Sequence, residues 1–185
     1  MAIIKLVSFF WGFAEATFFF IIPDVFLAWL VLTQKEYKKI RAAVSWAVFG
    51  AICGGVLMYW LGYFIRPEIL IGMLDHIPGI SQAIISDVSA QIEKGGISSV
   101  FLGIIKGIPY KLYASQWGYY KGNIWILIAC SVFARGGRFI LSVLVTFFID
   151  SMAKKLFINW EHVKRPVFTV FWITFYIFYF IQYPL

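Results

Sequence analysis

The chain has 185 residues, 62% of them apolar and 21% aromatic, and only 14% are charged, against the ~25% that keeps an ordinary domain in water. This balance excludes a soluble globular protein and points to an integral membrane protein; at ~20 apolar residues per helical span, the length holds about four to six membrane segments in one domain. The net charge of +7 then reports on topology and lipid phosphates, and nucleic acid is excluded as a partner.

The first apolar stretch, Leu6 to Leu32, is too long for a signal-peptide core and lacks a small-residue cleavage site, so it is expected to stay in the mature protein. It contains Glu15 and Asp24, nine residues apart, which at about 100° per residue would put them on opposite faces of a straight helix. A break around Pro23 removes the conflict by turning the chain back, so that both carboxylates face one interior. Residues 6–32 are therefore predicted to form a re-entrant hairpin. The second stretch, Ala42 to Ile65, is a plain transmembrane span, with Gly50, Gly54, Gly55 and Gly62 forming a smooth stripe for close helix contact.

From Arg66 to Gly96 apolar residues recur at Ile69, Leu70, Met73, Leu74 and Ile77 and again at Ile80, Ile84, Ile85, Val88 and Ile92, interrupted by Pro78 and Gly79. This pattern predicts two amphipathic helices on the membrane surface. The third apolar stretch, Ile97 to Ile105, has nine residues, about 14 Å of helix or half a bilayer, before Lys106, Gly107 and Pro109 stop it. Residues 97–118 are expected to form a second re-entrant hairpin. Residues 123–149 and 166–185 complete the set of three transmembrane helices, the last carrying Phe168, Phe171, Phe175, Phe178 and Phe180.

Charge placement agrees with this topology. Thr33 to Arg41 holds Lys35, Lys38, Lys39 and Arg41, and Asp150 to Arg165 holds Lys154, Lys155, Lys164 and Arg165, whereas Arg66 to Gly96 has two basic and four acidic residues. The first two segments belong in the cytoplasm and the third outside, which holds only if 97–118 returns to its own side. The N-terminus is then cytoplasmic, and the inner (plasma) membrane is the expected location. The whole reads as an all-α membrane domain, residues 1–185, in which two opposed hairpins and two spans form an inverted-repeat-like arrangement of the kind that sets transporter sites near the midplane.

Six ionisable residues fall where lipid or packed protein should be: Glu15, Asp24, Lys106, Lys111, Arg135 and Arg138. Each would cost ~3 kcal/mol unpaired at mid-bilayer, so they must pair or face water. Arg135 and Arg138, three residues apart, share one helical face. Four bases against two acids leave a positive excess that an anionic headgroup would neutralise, with guanidinium contacts to its phosphate. Glu15 and Asp24 become candidate proton carriers. The plainer alternative is that these charges are structural ion pairs. Gly136 and Gly137, between the arginines, could serve packing or motion. Cys53 and Cys130 lie in apolar runs and read as free thiols, and His76 and His162 as surface histidines. With no serine nucleophile motif, phosphate loop or metal cluster in the sequence, neither an enzyme nor a cofactor or metal is expected.

These features resemble the DedA family, also called the VTT or SNARE-associated membrane protein family, and its short members in particular. Glu15-Ala16-Thr17 with Pro23-Asp24 is similar to the family's acidic first hairpin, Gly50 to Gly62 to its glycine-rich span, and Lys106 with Pro109 and Lys111 to its basic second hairpin. The resemblance covers about residues 8–149. It implies a flippase or scramblase that moves lipids such as undecaprenyl phosphate or phospholipids, coupled to protons in some members. The expected partners are anionic membrane lipids and protons, with a homodimer as a further candidate. Lys106, Pro109, Lys111, Arg135 and Arg138 are expected to bind substrate, and Glu15 and Asp24 to carry protons. A proton-coupled carrier of a small ion or metabolite, or a non-catalytic membrane scaffold, are the alternatives.

Overall fold

The computed structural model describes residues 1–20, 22–34 and 36–182 and, within them, every side chain except those of residues 102, 104 and 105. Lys35 of the first basic segment and residues 183–185 of the last apolar stretch lie outside the described residues. All regular structure among the described residues is helical, as an all-α chain requires.

The first apolar stretch is two helices, α1 (Ala2–Ala16) and α2 (Asp24–Thr33). The break falls at 17–23, just before Pro23, whose missing N–H starts α2 rather than continuing α1. Thr17 closes α1 by donating its hydroxyl back to the carbonyls of Phe13 and Ala14. The chain then doubles back. The rings of Trp11 and Phe26 stack with centroids 5.5 Å apart, whereas a continuous helix would separate these residues by about 22 Å.

Helix α3 (Tyr37–Phe64) is the axis of the molecule. Along its first half, α1 runs parallel and touches it backbone to backbone. A Cβ at Gly50 would run into the Phe9 carbonyl, and one at Gly54 would meet Phe13 and Ala16. Glycine is required there by proximity, so the stripe read from sequence is a helix contact face.

After α3 come α4 (Pro67–Asp75) and α5 (Gln82–Gly95). They realise the amphipathic pattern: Leu70, Leu74, Ile85, Val88 and Ile92 are buried against the rest of the fold, while Ile69 and Met73 stay exposed. A 3-10 turn (Gly96–Ser99) leads into α6 (Val100–Lys106), which stops where the sequence said it should. Gly107 takes φ +73° and the Ile108 N–H donates to the Gly103 carbonyl at 2.8 Å, the 6→1 bond of a glycine-terminated helix. Pro109 then begins α7 (Tyr110–Tyr119). The chain doubles back a second time, with the Tyr113 ring lying against Gly103.

Helix α7 leaves along the second half of α3, with Tyr110 on Gly55 and the Ser115 carbonyl on Gly62. The first doubled-back segment therefore arrives at the middle of α3 from its N-terminal end, and the second departs toward its C-terminal end. Their tips touch: Lys111 Nζ donates to the Phe19 carbonyl at 2.7 Å.

Helix α8 (Ile124–Leu156) returns antiparallel to α3, so that Phe147 meets Tyr37 with ring centroids 5.5 Å apart. Both basic segments thus lie at the same end of the bundle. α8 runs seven residues beyond the predicted end at 149, because Asp150 pairs with Lys154 one turn on at 2.7 Å and no helix breaker intervenes. Lys154 also reaches Glu161, and Glu161 holds Lys164, joining α8 to α9 (Trp160–Gln182). Lys164 and Lys154 hold the Glu161 carboxyl below its ordinary range, so this link persists through neutral pH and is lost only on acidification.

Among the described residues two helices, α3 and α8, are long and apolar enough to cross a membrane. α9 has 23 residues, but its first turns carry Glu161, His162, Lys164 and Arg165.

The glycine contacts yield a test. Gly50→Val or Gly62→Val should destabilise the detergent-solubilised protein by about 1–3 kcal/mol or more, because the intruding side chain meets a backbone carbonyl. Gly72→Ala, at a glycine with nothing within 4 Å of its Cβ position, should leave thermal unfolding unchanged; equal melting of all three variants would contradict backbone contact.

Candidate functional site at the meeting of the two turns

A cavity of about 330 Å³ lies where the two turns meet, with Glu15, Phe19, Pro109, Lys111, Arg135 and Arg138 in its wall. Each chemical group arrives by a local feature of the chain. Glu15 is in the last turn of α1 and Asp24 is the first residue of α2. Pro109 and Lys111 bracket the start of α7. Arg135 and Arg138 project from one face of α8, as their spacing requires.

The arginines are not interchangeable. Arg135 is 2% exposed and its Nη2 forms an ion pair with Glu15 Oε2. Its guanidinium carbon lies 5.0 Å from the Tyr110 ring centroid and 5.4 Å from that of Phe139, so two aromatic faces hold the charge on its other sides. Its Nε is buried and, among the described residues, donates to no acceptor. Arg138 is more open, with a side chain 30% exposed, and binds Asp24 Oδ2 at 3.1 Å. Asp24 at the head of α2 also meets the positive end of that helix dipole.

Lys111 differs from both. It is buried, its one described hydrogen bond goes to the Phe19 carbonyl, and among the described residues it pairs with no carboxylate. A lysine has three N–H donors, so two remain for something else. The wall therefore carries three cations and one carboxylate, Glu15, and with Asp24 paired to Arg138 from outside the wall one positive charge is left over. α2 and α7 both begin at this junction, and their N-terminal dipole ends add to the positive potential.

Of the residues expected at the site, Glu15, Asp24, Pro109, Lys111, Arg135 and Arg138 are brought together. Lys106 is not. It sits exposed at the end of α6, and the sharp turn at Gly107 separates it from the cavity wall. The positive excess expected from sequence accordingly falls from two to one. Sequence reasoning missed Tyr110 and Ser131, whose hydroxyls lie 2.5 Å apart beneath Arg135. The signal was there: Ser131 is four residues before Arg135 and so on its helical face, and Tyr110 stands between Pro109 and Lys111.

The connection between α4 and α5 closes one side, with Ile77, Pro78 and Ile80 in the wall, and Tyr179 of α9 donates to the Pro78 carbonyl at 2.8 Å. The chemistry this arrangement offers is recognition of an anion by two buried cations, Lys111 and Arg135, with the partly open Arg138 beside them. Cys53 and Cys130 are free thiols away from this wall.

No protein-family model matches the chain, and no curated protein or solved structure does.

The two kinds of cation respond differently to removal. Glu15→Leu or Arg135→Met should each cost about 3–5 kcal/mol by leaving the other charge buried and unpaired, while the double variant recovers most of that loss. Lys111→Met, which removes a buried cation with no counter-charge, should leave thermal stability unchanged or raised. Additive losses in the double variant would contradict the pairing, and a large loss at Lys111 would contradict its spare charge.

Proposed function

We propose that this protein is a membrane lipid transporter, a flippase or scramblase that passes an anionic headgroup, such as that of a phospholipid or undecaprenyl phosphate, across the bilayer with a proton as counter-ion. The observation that carries this reading is the single positive excess in a buried wall: Lys111 with two unused donors, and Arg135 with an unused Nε, facing one cavity. A phosphate oxygen is the acceptor that satisfies such donors.

In this reading the two doubled-back segments are re-entrant hairpins, inserted from opposite faces of a bilayer spanned by α3, α8 and α9. Irregular backbone at membrane depth is tolerated where it lines a protected cavity, and the turns at 17–23 and 107–109 both do so. In this reading the end of the bundle that holds the basic segments, and the N-terminus with it, faces the cytoplasm of the inner (plasma) membrane, which the excess of Lys and Arg there supports. The opposed hairpins, the glycine contacts and the acidic and basic turns are the features that support membership of the DedA family.

The mechanism is an exchange of anions at Arg135. In the empty state Glu15 holds the guanidinium. An arriving phosphate competes for it, and Glu15, losing its partner in a dry site, is neutralised by a proton. Lys111 and Arg138 hold the phosphate meanwhile. Departure of the lipid on the other side lets Glu15 release the proton and bind Arg135 again, so the site carries the same net charge empty and loaded. Asp24, tied to Arg138, can act in the same way.

Liposomes containing the purified protein, labelled phospholipid or polyprenyl phosphate, and entrapped inorganic phosphate test this. The expected outcome is lipid translocation without phosphate release, slowed at least about tenfold in Lys111→Met and Arg135→Ala, and insensitive to pH in Glu15→Gln. Unchanged lipid movement in these variants would overturn the mechanism, and release of entrapped phosphate would assign the site to a small anion instead.

A further inference from the structure

Arg138 and Ile22 line the cationic cavity and also a second, larger hollow of about 610 Å³ between α2, α8 and α9. This groove runs along α8 from Arg138 to Ile149, about 16 Å at 1.5 Å per residue. Its walls are apolar, with Leu32 from α2, Val145 and Ile149 from α8, and Phe168 and Trp172 from α9. The Thr146 hydroxyl in the wall turns back to the Ser142 carbonyl at 2.8 Å. Among the described residues of the wall, charged groups stand only at the ends. At one end is the Arg138–Asp24 pair, and at the other Trp160 donates to Asp150 at 2.8 Å while Lys164 binds Glu161 at 2.6 Å.

The groove is open along its side, where Val145 is 46% and Phe171 60% exposed, and water has too few polar partners along its length to fill it. Its occupant must be hydrocarbon. The groove joins the cationic cavity at Arg138, so the occupant that satisfies both spaces is a chain bearing an anionic group at one end. We infer that the groove holds one hydrocarbon chain of the lipid whose phosphate enters the cavity. The inference rests on the lipid-transport reading above and deepens it. The transported chain travels inside the protein, between α8 and α9, rather than trailing in bulk lipid, and the Arg138–Asp24 pair is the threshold between head and chain. The substrate class is then a long-chain lipid phosphate; a head without a chain fills only the smaller space.

Photolabelling decides between this and its rivals. The probe is a trace of phosphatidic acid bearing a diazirine near the end of one acyl chain, in phosphatidylcholine vesicles holding the wild-type protein. Labels are expected at Val145, Ile149 and Phe168, falling about tenfold with excess unlabelled phosphatidic acid and unaffected by excess glycerol phosphate. Phe133, Ile140 and Leu144, exposed on α8 and absent from the groove wall, should show only weak labelling that resists competition.

Labels spread evenly over α8 and insensitive to competitor would make the groove ordinary boundary lipid and overturn the inference. So would a groove free of label with cysteines placed at Val145 and Phe171 cross-linking between copies, which would make it a dimer contact. The transport reading fails separately: a protein that moves no lipid in liposomes yet labels as expected loses that reading and keeps the chain site. One that moves lipid but labels evenly loses the chain site alone. Val145→Trp gives a second readout, with translocation of long-chain lipid expected to fall about tenfold while thermal unfolding stays as in wild type.

Discussion

The ion pair between Glu15 and Arg135 is the interaction on which the rest of the structure depends. Both groups are buried, and a buried guanidinium without its carboxylate would cost several kcal/mol. Glu15 can reach Arg135 only because α1 stops at Ala16 and is held to the middle of α3. That proximity in turn needs glycine at positions 50 and 54. The same arginine is flanked by Tyr110, which α7 delivers by resting on Gly55. One charge thus ties together α1, α3, α7 and α8, and a shift of any of them would leave it unpartnered.

The second pair repeats the theme with less burial. Arg138 and Asp24 join α8 to α2 at the rim of the cavity, where the guanidinium is partly open. Between these two satisfied pairs stands Lys111, held by a single carbonyl. A bundle built for stability alone would replace it with an apolar residue of similar size. Its place beside an arginine with an unused donor is what favours, in the proposed reading, a site for an anion over a set of structural ion pairs.

Much of this was legible from local chemistry. Pro23 and the Gly107–Pro109 pair each interrupt an apolar run, so both turns could be placed before the fold was known, and the spacing of Arg135 and Arg138 set them on one face. The matching of partners was not legible, since the choice of Glu15 for Arg135 and Asp24 for Arg138 depends on how far α1 slides along α3. Nor was the fate of Lys106. It and Lys111 are five residues apart across a turn with a positive φ, and only the path of that turn separates an exposed lysine from a buried one. The basic segment after Asp150 read as a loop because it is charged, yet its charges lie at helical spacing and α8 continues through it. Tyr110 and Ser131, far apart in sequence, acquire a role only through the arginine that lies over them.

The central claim is that the junction of the two turns takes a lipid phosphate. Its most direct test is a cryo-electron-microscopy map of the protein in nanodiscs rich in anionic phospholipid. The account predicts headgroup density within hydrogen-bond reach of Lys111 Nζ and Arg135 Nε, with chain density leaving past Arg138. A cavity holding only water, with Glu15 still on Arg135 and every lipid outside the bundle, would contradict it.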